Sequence, residues 1–125
     1  MMSIAEKTFL GSLMKAEYLF KDTVNQPEYL ENARHKELMR RMVGFTQNGK
    51  HIDLIHLTTL LNLESSGKIS YLSELLSFAD VGKFDGTEKL LLDLWKEREK
   101  RNILTVAAHL LYRAVQKTGF QNGTD

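Results

Sequence analysis

Histidines and carboxylates are the side chains of this 125-residue sequence that could act in catalysis or metal binding. The histidines are spread along the chain, at His35, His51, His56 and His109. None stands four residues from another on a predicted helix, the spacing that lets two imidazoles hold one metal ion. The carboxylates alternate with lysine and arginine, which is typical of solvated helix faces. We therefore predict no catalytic residues and no metal site.

Glycine–lysine pairs raise the question of nucleotide binding. A phosphate-binding loop has the pattern G-x-x-x-x-G-K-S/T and lies between a strand and a helix. The pairs Gly49-Lys50, Gly67-Lys68 and Gly82-Lys83 are not followed by serine or threonine, and no strand is predicted before them. We expect that this chain does not bind or hydrolyse ATP, takes no cofactor, and is not an enzyme by itself.

The amino-acid composition excludes further classes of function. The absence of cysteine excludes disulfides and thiolate chemistry, and it gives no sign of secretion. A net charge of +1 provides no broad field for nucleic acid. No apolar run has the length of a membrane span, and Glu6 and Lys7 interrupt any signal-peptide core. We expect a cytoplasmic protein.

Apolar residues recur at helical spacing through most of the chain, which predicts an all-α fold. A compact bundle of five helices is expected over residues 1–86. After a first helix near the N-terminus, helices are predicted at 17–24, 33–47, 54–63 and 70–79. The second of these is expected to bury Tyr18, Leu19 and Val24.

Local signals set several details of the bundle. Ser3 and Glu6 form a capping-box pattern for the first helix. Gly11 inside that helix predicts a close contact with another helix, because glycine otherwise weakens a helix. Gly49 suits a left-handed position after the third helix, and Asp53 suits the N-cap of the fourth.

A long helix is predicted at 87–117, with no proline or glycine inside it. Its first third is apolar, its middle is the charged segment 96–102 (KEREKRN), and its last third is apolar again. We expect the first third to dock on the bundle and the last third to project as an arm towards a partner. The alternatives are a merely solvated middle segment or an arm that folds back on the bundle. Residues 118–125 are predicted to be a disordered tail.

Basic residues between Arg34 and Arg41, together with the segment 96–102, are the candidates for contact with DNA. Both also carry or adjoin glutamates, and mixed faces are usually solvated or salt-bridged. We therefore do not expect direct DNA binding, although a small helical DNA-binding protein stays an alternative.

Four segments in order resemble one family, the N-terminal domain of DnaB-type replicative DNA helicases of bacteria and phages. They are AEKTFLGSL at 5–13, PEY at 27–29 followed by His35, GKHIDL at 49–54, and SYLSEL at 70–75. The sequence departs from the family at Lys68-Ile69, where the family usually has two glycines, and at His51, where it has proline. These departures indicate a divergent member.

The resemblance implies a function in DNA replication. In that family the domain forms one tier of a hexameric ring, pairs through a helical hairpin into a trimer of dimers, and docks primase and in some systems a helicase loader. The helix 87–117 would be the first arm of that hairpin, and Gly119-Phe120 is similar to its turn. ATP and Mg²⁺ would be used by the ATPase motor domain of the parent helicase.

A partner interface is therefore expected on a few side chains. The resemblance and the apolar arm together point to Tyr71, Leu104, Ala108, Leu110, Leu111 and Val115. The predicted function is an interaction domain for ring assembly and for docking of primase or loader. A stand-alone regulator that binds a helicase, with the same fold, is the alternative.

Overall fold

The computed structural model of the chain describes residues 2–60 and 69–119, with side chains at 4–59 and 70–117. Helices and short connections account for these residues, and no strand occurs among them, which confirms the predicted all-α class. The α-helices are α1 (Met2–Lys15), α2 (Ala33–Gln47), α3 (Leu54–Leu60), α4 (Ile69–Ser77) and α5 (Phe84–Ala114). Short 3₁₀ turns lie at Glu17–Lys21, Pro27–Tyr29 and Val81–Lys83, and a π-helical turn at Val115–Gly119 follows α5.

The predicted second helix, 17–24, is wrong in type and extent, since only the 3₁₀ turn Glu17–Lys21 forms there. Leu19 is buried as expected, but Tyr18 and Val24 are 61% and 58% exposed. The physical reason is that a carboxylate competes with the helical carbonyl groups as a hydrogen-bond acceptor. The N–H groups of Val24 and Asn25 donate to a carboxylate from α5 instead of to helical carbonyls.

The long helix begins at Phe84, three residues before its predicted start, so the expected loop 80–86 is largely helical. Phe84 is buried and stacks on Phe9 at a centroid distance of 5.5 Å, which fixes the first turn against α1. Of the predicted tail 118–125, only the backbone of Thr118 and Gly119 is described, within the π-helical turn. The predicted end of the fourth helix, 61–63, likewise lies outside the described residues.

The chain divides into two compact units between Asp93 and Leu94, inside α5. The first unit contains the core, to which each α-helix contributes one stripe of its surface. Its most deeply buried side chains are Phe9, Leu10, Leu13, Leu30, Leu38, Met39, Met42, Leu57 and Leu75. No described helix is long and apolar enough to cross a membrane.

The capping residues at the helix termini are largely those that the sequence predicts. The Asp53 side chain accepts from the N–H groups of Ile55 and His56 at 2.9 and 3.2 Å. Gly49 has φ +69°, and the N–H that follows it closes a Schellman-type turn on the carbonyl of Phe45. The Ser3–Glu6 capping box is wrong, because α1 begins at Met2 and the Glu6 carboxylate binds a different part of the chain.

Gly11 lies where α1 and α4 meet, which confirms the predicted close helix contact. A Cβ atom at this position would overlap the backbone carbonyl of Leu75 and would lie 3.2 Å from the backbone nitrogen of Ala79. Because backbone atoms cannot move aside without shifting a helix, no side chain is accommodated here.

We expect Gly11→Ala to lower the free energy of unfolding by about 2 kcal/mol, as overpacking does, although alanine favours helix by about 1 kcal/mol. Gly44→Ala is the matched control, because a Cβ there meets no atom within 4 Å. Urea unfolding should show the control unchanged or more stable. Equal stabilisation by both substitutions would contradict the close contact.

Candidate functional site

The C-terminal half of α5 carries a run of exposed apolar side chains, which we call the distal face. Its members are Ile103, Leu104, Val106, Ala107, Ala108, Leu110 and Leu111, and every one of them is exposed. The large side chains among them have 57% to 66% of their surface exposed. Such a concentration of exposed apolar surface marks an interaction site in soluble proteins.

The distal face is made of two neighbouring strips of the helix. Ile103, Val106 and Leu110 line a shallow apolar groove, and Leu104 and Leu111 lie in the strip beside it. At about 100° per residue, the two strips together cover about 200° of the helix circumference, about twice the stripe that a helix buries against one core. The distal face is therefore wide enough to contact two helices at once.

Polar residues, together with the exposed Tyr112, complete the circumference of α5 in this region. Thr105, His109 and Arg113 lie on the side away from the distal face, as the helical spacing requires. Towards the N-terminus the apolar strips end at the charged segment 96–102, most of whose side chains are exposed. The distal face thus has a polar border, as protein interfaces commonly do.

The six predicted interface residues belong to two different units of the chain. Leu104, Ala108, Leu110 and Leu111 are exposed on α5, and Val115 is half-buried in the π-helical turn. Tyr71 is half-buried on α4 in the first unit. The role of Tyr71 therefore has to be judged separately from that of the other five.

Tyr71 is packed by its neighbours in the first unit. The Arg34 guanidinium lies 4.2 Å from the centre of its ring, and the His35 ring stacks near-parallel to it at 6.2 Å. Its hydroxyl is buried and bonds to no residue that the structure describes. Burial raises the pKa of Tyr71 to about 12, with Glu6 and Glu74 adding to the rise and Arg34 opposing it. These contacts indicate that Tyr71 packs α4 against α2.

Glu6 is a buried carboxylate that the sequence did not reveal. It accepts hydrogen bonds from the N–H groups of Glu31 and Asn32 at 2.6 and 3.3 Å, and it pairs with Nδ1 of His35 at 2.7 Å. Both side chains of the pair are 3% exposed. Glu6 thereby ties α1 to the start of α2. These contacts give Glu6 a structural role in the first unit.

The pKa of Glu6 gives the cluster a pH dependence. Burial raises the pKa, but the hydrogen bond with His35 and those from Glu31 and Asn32 outweigh burial and hold it below its usual value. A carboxyl whose pKa is lower in the folded state stabilises the fold above its unfolded pKa, and this contribution is lost as pH falls.

We accordingly expect urea unfolding midpoints to fall as pH is lowered from about 5 towards 3, because Glu6 becomes protonated there. In Glu6→Gln this part of the stability loss at low pH should be absent, so the urea unfolding midpoint should depend less on pH. An identical pH dependence in the two proteins would contradict the assignment.

Two further glutamates anchor loops in the same way. Glu88 on α5 is buried and accepts from the hydroxyl of Thr23 and the N–H groups of Val24 and Asn25, at 2.6 to 3.0 Å. Glu17 accepts from the N–H of Ile52 at 2.6 Å. The expectation that carboxylates lie on solvent faces is therefore wrong for Glu6 and Glu88.

The basic face between Arg34 and Arg41 is largely neutralised. Arg40 makes a two-pronged ion pair with Glu28 and also binds Glu37, and Arg41 binds Glu37 as well. Arg34 covers the ring of Tyr71. Guanidinium groups already paired with carboxylates gain less from phosphate, which counts against this face as a DNA contact.

Among the residues described, no group of three His, Asp or Glu side chains is placed to hold a metal ion. Of the four histidines, only His35 is buried, and its described polar partner is Glu6. This burial differs from the surface or boundary position that a scattered histidine usually takes.

Comparison with known proteins gives one line of support for the fold. No protein-family model matches the sequence, and no curated protein matches it. A solved structure does, a DnaB-like replicative helicase studied for its interactions with primase, with a TM-score of 0.70 and 20% sequence identity. The match covers 98% of this chain and 30% of the helicase chain. This chain therefore shares its fold with part of a DnaB-like replicative helicase.

Proposed function

We propose that this chain is a protein-interaction domain of the kind found at the N-terminus of replicative DNA helicases, and that the distal face of α5 is its docking surface. The single observation that carries the proposal is the exposure of Ile103, Leu104, Leu110 and Leu111 side by side on one helix. The helicase fold supports the same reading, because that relative is described with its interactions with primase.

Self-association is the first activity that we infer for the distal face. Two copies could bury each other's apolar strips, and each well-buried leucine or isoleucine would contribute about 1.5–3 kcal/mol. Association costs about 4–15 kcal/mol in lost freedom, so the pair should be weak and should depend on concentration. Because the face is wide enough for two helices, pairing of copies leaves room for a further helix.

Primase, and in some systems a helicase loader, are the further partners that we propose. Each of them would dock on this domain without any chemical reaction taking place there. ATP and Mg²⁺ would be used by a motor domain of the parent helicase. We infer no catalysis by this chain itself. If this chain is instead a stand-alone regulator that binds a helicase, it would use the same surface for that contact.

Thiol labelling tests the docking surface, because the sequence contains no cysteine. Ala108→Cys places one thiol on the distal face, and Ser73→Cys places one at an exposed position of α4 as a control. We expect alkylation of the α5 thiol to slow as protein concentration rises or as primase is added, while the control rate stays constant. Unchanged rates at both positions under all these conditions would contradict the proposal.

A further inference from the structure

A second surface feature lies in the first unit, between the 3₁₀ turn Glu17–Lys21 and the C-terminal half of α2. It consists of two clefts of about 460 and 500 Å³ that share Phe20, Thr46 and Gln47 as walls. We call the two clefts together the Tyr18 groove, after the residue at one end. Its described walls come from residues 17–51 of the first unit, whereas the distal face belongs to the second unit.

Apolar side chains form part of the floor of the Tyr18 groove, beside polar ones such as Thr46 and Gln47. Phe20 and Val43 are partly buried against the core, and Met39 beneath them is fully buried. Tyr18 stands at one end with 61% of its surface exposed, although the sequence pattern predicted it to be buried. Aromatic side chains left open beside an apolar floor are the usual anchors of protein interfaces.

The charge at the Tyr18 end of the groove is positive. Lys21 and Lys50 are exposed on its rim, and neither makes an ion pair with any residue that the structure describes. This differs from Arg40 and Arg41 on α2, whose guanidinium groups are paired with glutamates. Free lysines at one end of an apolar groove favour a ligand that carries carboxylates at the matching end.

Glu17 is the acidic residue among the described walls, and its carboxylate is already occupied. One oxygen accepts from the N–H of Ile52 at 2.6 Å, and the other lies 3.0 Å from Nδ1 of His51. The His51 ring is otherwise exposed on the rim. Glu17 therefore holds the loop before α3. Its negative charge offsets one of the two lysines, so this end of the groove keeps an excess of one positive charge.

We propose that the Tyr18 groove binds an acidic peptide segment of a partner protein, with an aromatic or aliphatic side chain seated on Phe20 and carboxylates beside Lys21 and Lys50. The two clefts follow one another, which suits an extended chain. Nucleic acid is a poorer occupant, because a phosphate backbone needs a larger set of uncompensated cations than this rim supplies.

Fluorescence anisotropy with a labelled synthetic peptide tests the proposal. The peptide has about ten residues, with aspartates and glutamates at one end and phenylalanines next to them, and a second peptide carries lysines in place of the acids. We expect the acidic peptide to bind with a dissociation constant at or below about 100 µM and to bind more weakly as salt rises. The basic peptide should not bind.

Charge reversal locates the site on the surface. The double substitution Lys21→Glu and Lys50→Glu should weaken binding at least about tenfold, and Tyr18→Ala at least about threefold, because an anchor is lost. Lys83→Glu, at an exposed lysine outside the groove, and Leu104→Asp, on the distal face, should leave the affinity unchanged. No binding of the acidic peptide up to about 1 mM, equal binding of the basic one, or no effect of the double reversal would overturn the proposal.

Discussion

The double substitution Leu104→Asp and Leu111→Asp should abolish self-association while leaving the fold unchanged. Both side chains are exposed, by 61% and 66%, so their replacement removes no contact in the core. In a symmetric pair the change removes four leucines from the interface and adds four carboxylates to it. Burial of each leucine contributes about 1.5–3 kcal/mol, so even partial burial predicts a dissociation constant raised by more than about 100-fold.

Leu90→Asp is the matched control on the same helix, since Leu90 is 48% exposed but lies in the first unit, outside the distal face. Light scattering after gel filtration should show association for the control and a monomer for the double variant. Circular dichroism should show equal helix content in all three proteins. Association of the double variant at the same strength as the original chain would refute the role of the distal face.

Glu6→Ala should be the most destabilising single substitution considered for the first unit. The carboxylate satisfies the N–H groups of Glu31 and Asn32 and the buried ring of His35. Its removal leaves the buried His35 ring and two part-buried N–H groups without this acceptor. Breaking a buried, hydrogen-bonded pair in this way costs about 3–5 kcal/mol, and urea unfolding at pH 7 measures the loss directly.

Two variants show whether burial is the reason for this loss. Glu28→Ala removes a carboxylate that pairs with Arg40 on the surface, and it should have no measurable effect because exposed pairs contribute little. Glu6→Gln keeps one acceptor and should fall between the original chain and Glu6→Ala. If the alanine variants at positions 6 and 28 were equally stable, the anchoring role of Glu6 would be wrong.

Helical periodicity was enough to predict the fold class and most of the core. Apolar residues at helical spacing on α1, α2 and α4 are buried in the core, and Gly11, Gly49 and Asp53 have the local roles that their types indicate. The predicted helix boundaries were less accurate where residues distant in the sequence determine the end of a helix. The segment after Lys21 leaves the helical path because Glu88, distant in the sequence, supplies the acceptor for its N–H groups.

The buried polar residues share a pattern in the sequence. Glu6 precedes Phe9 and Leu10 at helical spacing, His35 precedes Leu38 and Met39 in the same way, and Glu88 lies between Phe84 and Leu91 on one face of α5. A polar residue on the apolar stripe of a helix predicts burial with a partner. The identity of that partner depends on tertiary contact, which the sequence pattern does not contain.

The exposure of the apolar residues on the C-terminal half of α5 agrees with the predicted apolar arm, which depends only on the spacing of apolar residues along one helix. Ile103, Leu104, Leu110 and Leu111 are all exposed in the structure. Tyr71 could not be judged in the same way, since its contacts with Arg34 and His35 arise from the packing of α2 against α4.

Sedimentation velocity of the unmodified chain, from about 10 µM to about 1 mM, tests directly whether apolar surface on α5 binds other helices. We predict that the weight-average sedimentation coefficient rises with concentration as copies pair through their leucines. A coefficient that stays at the monomer value across the whole range would contradict a pairing surface on this helix.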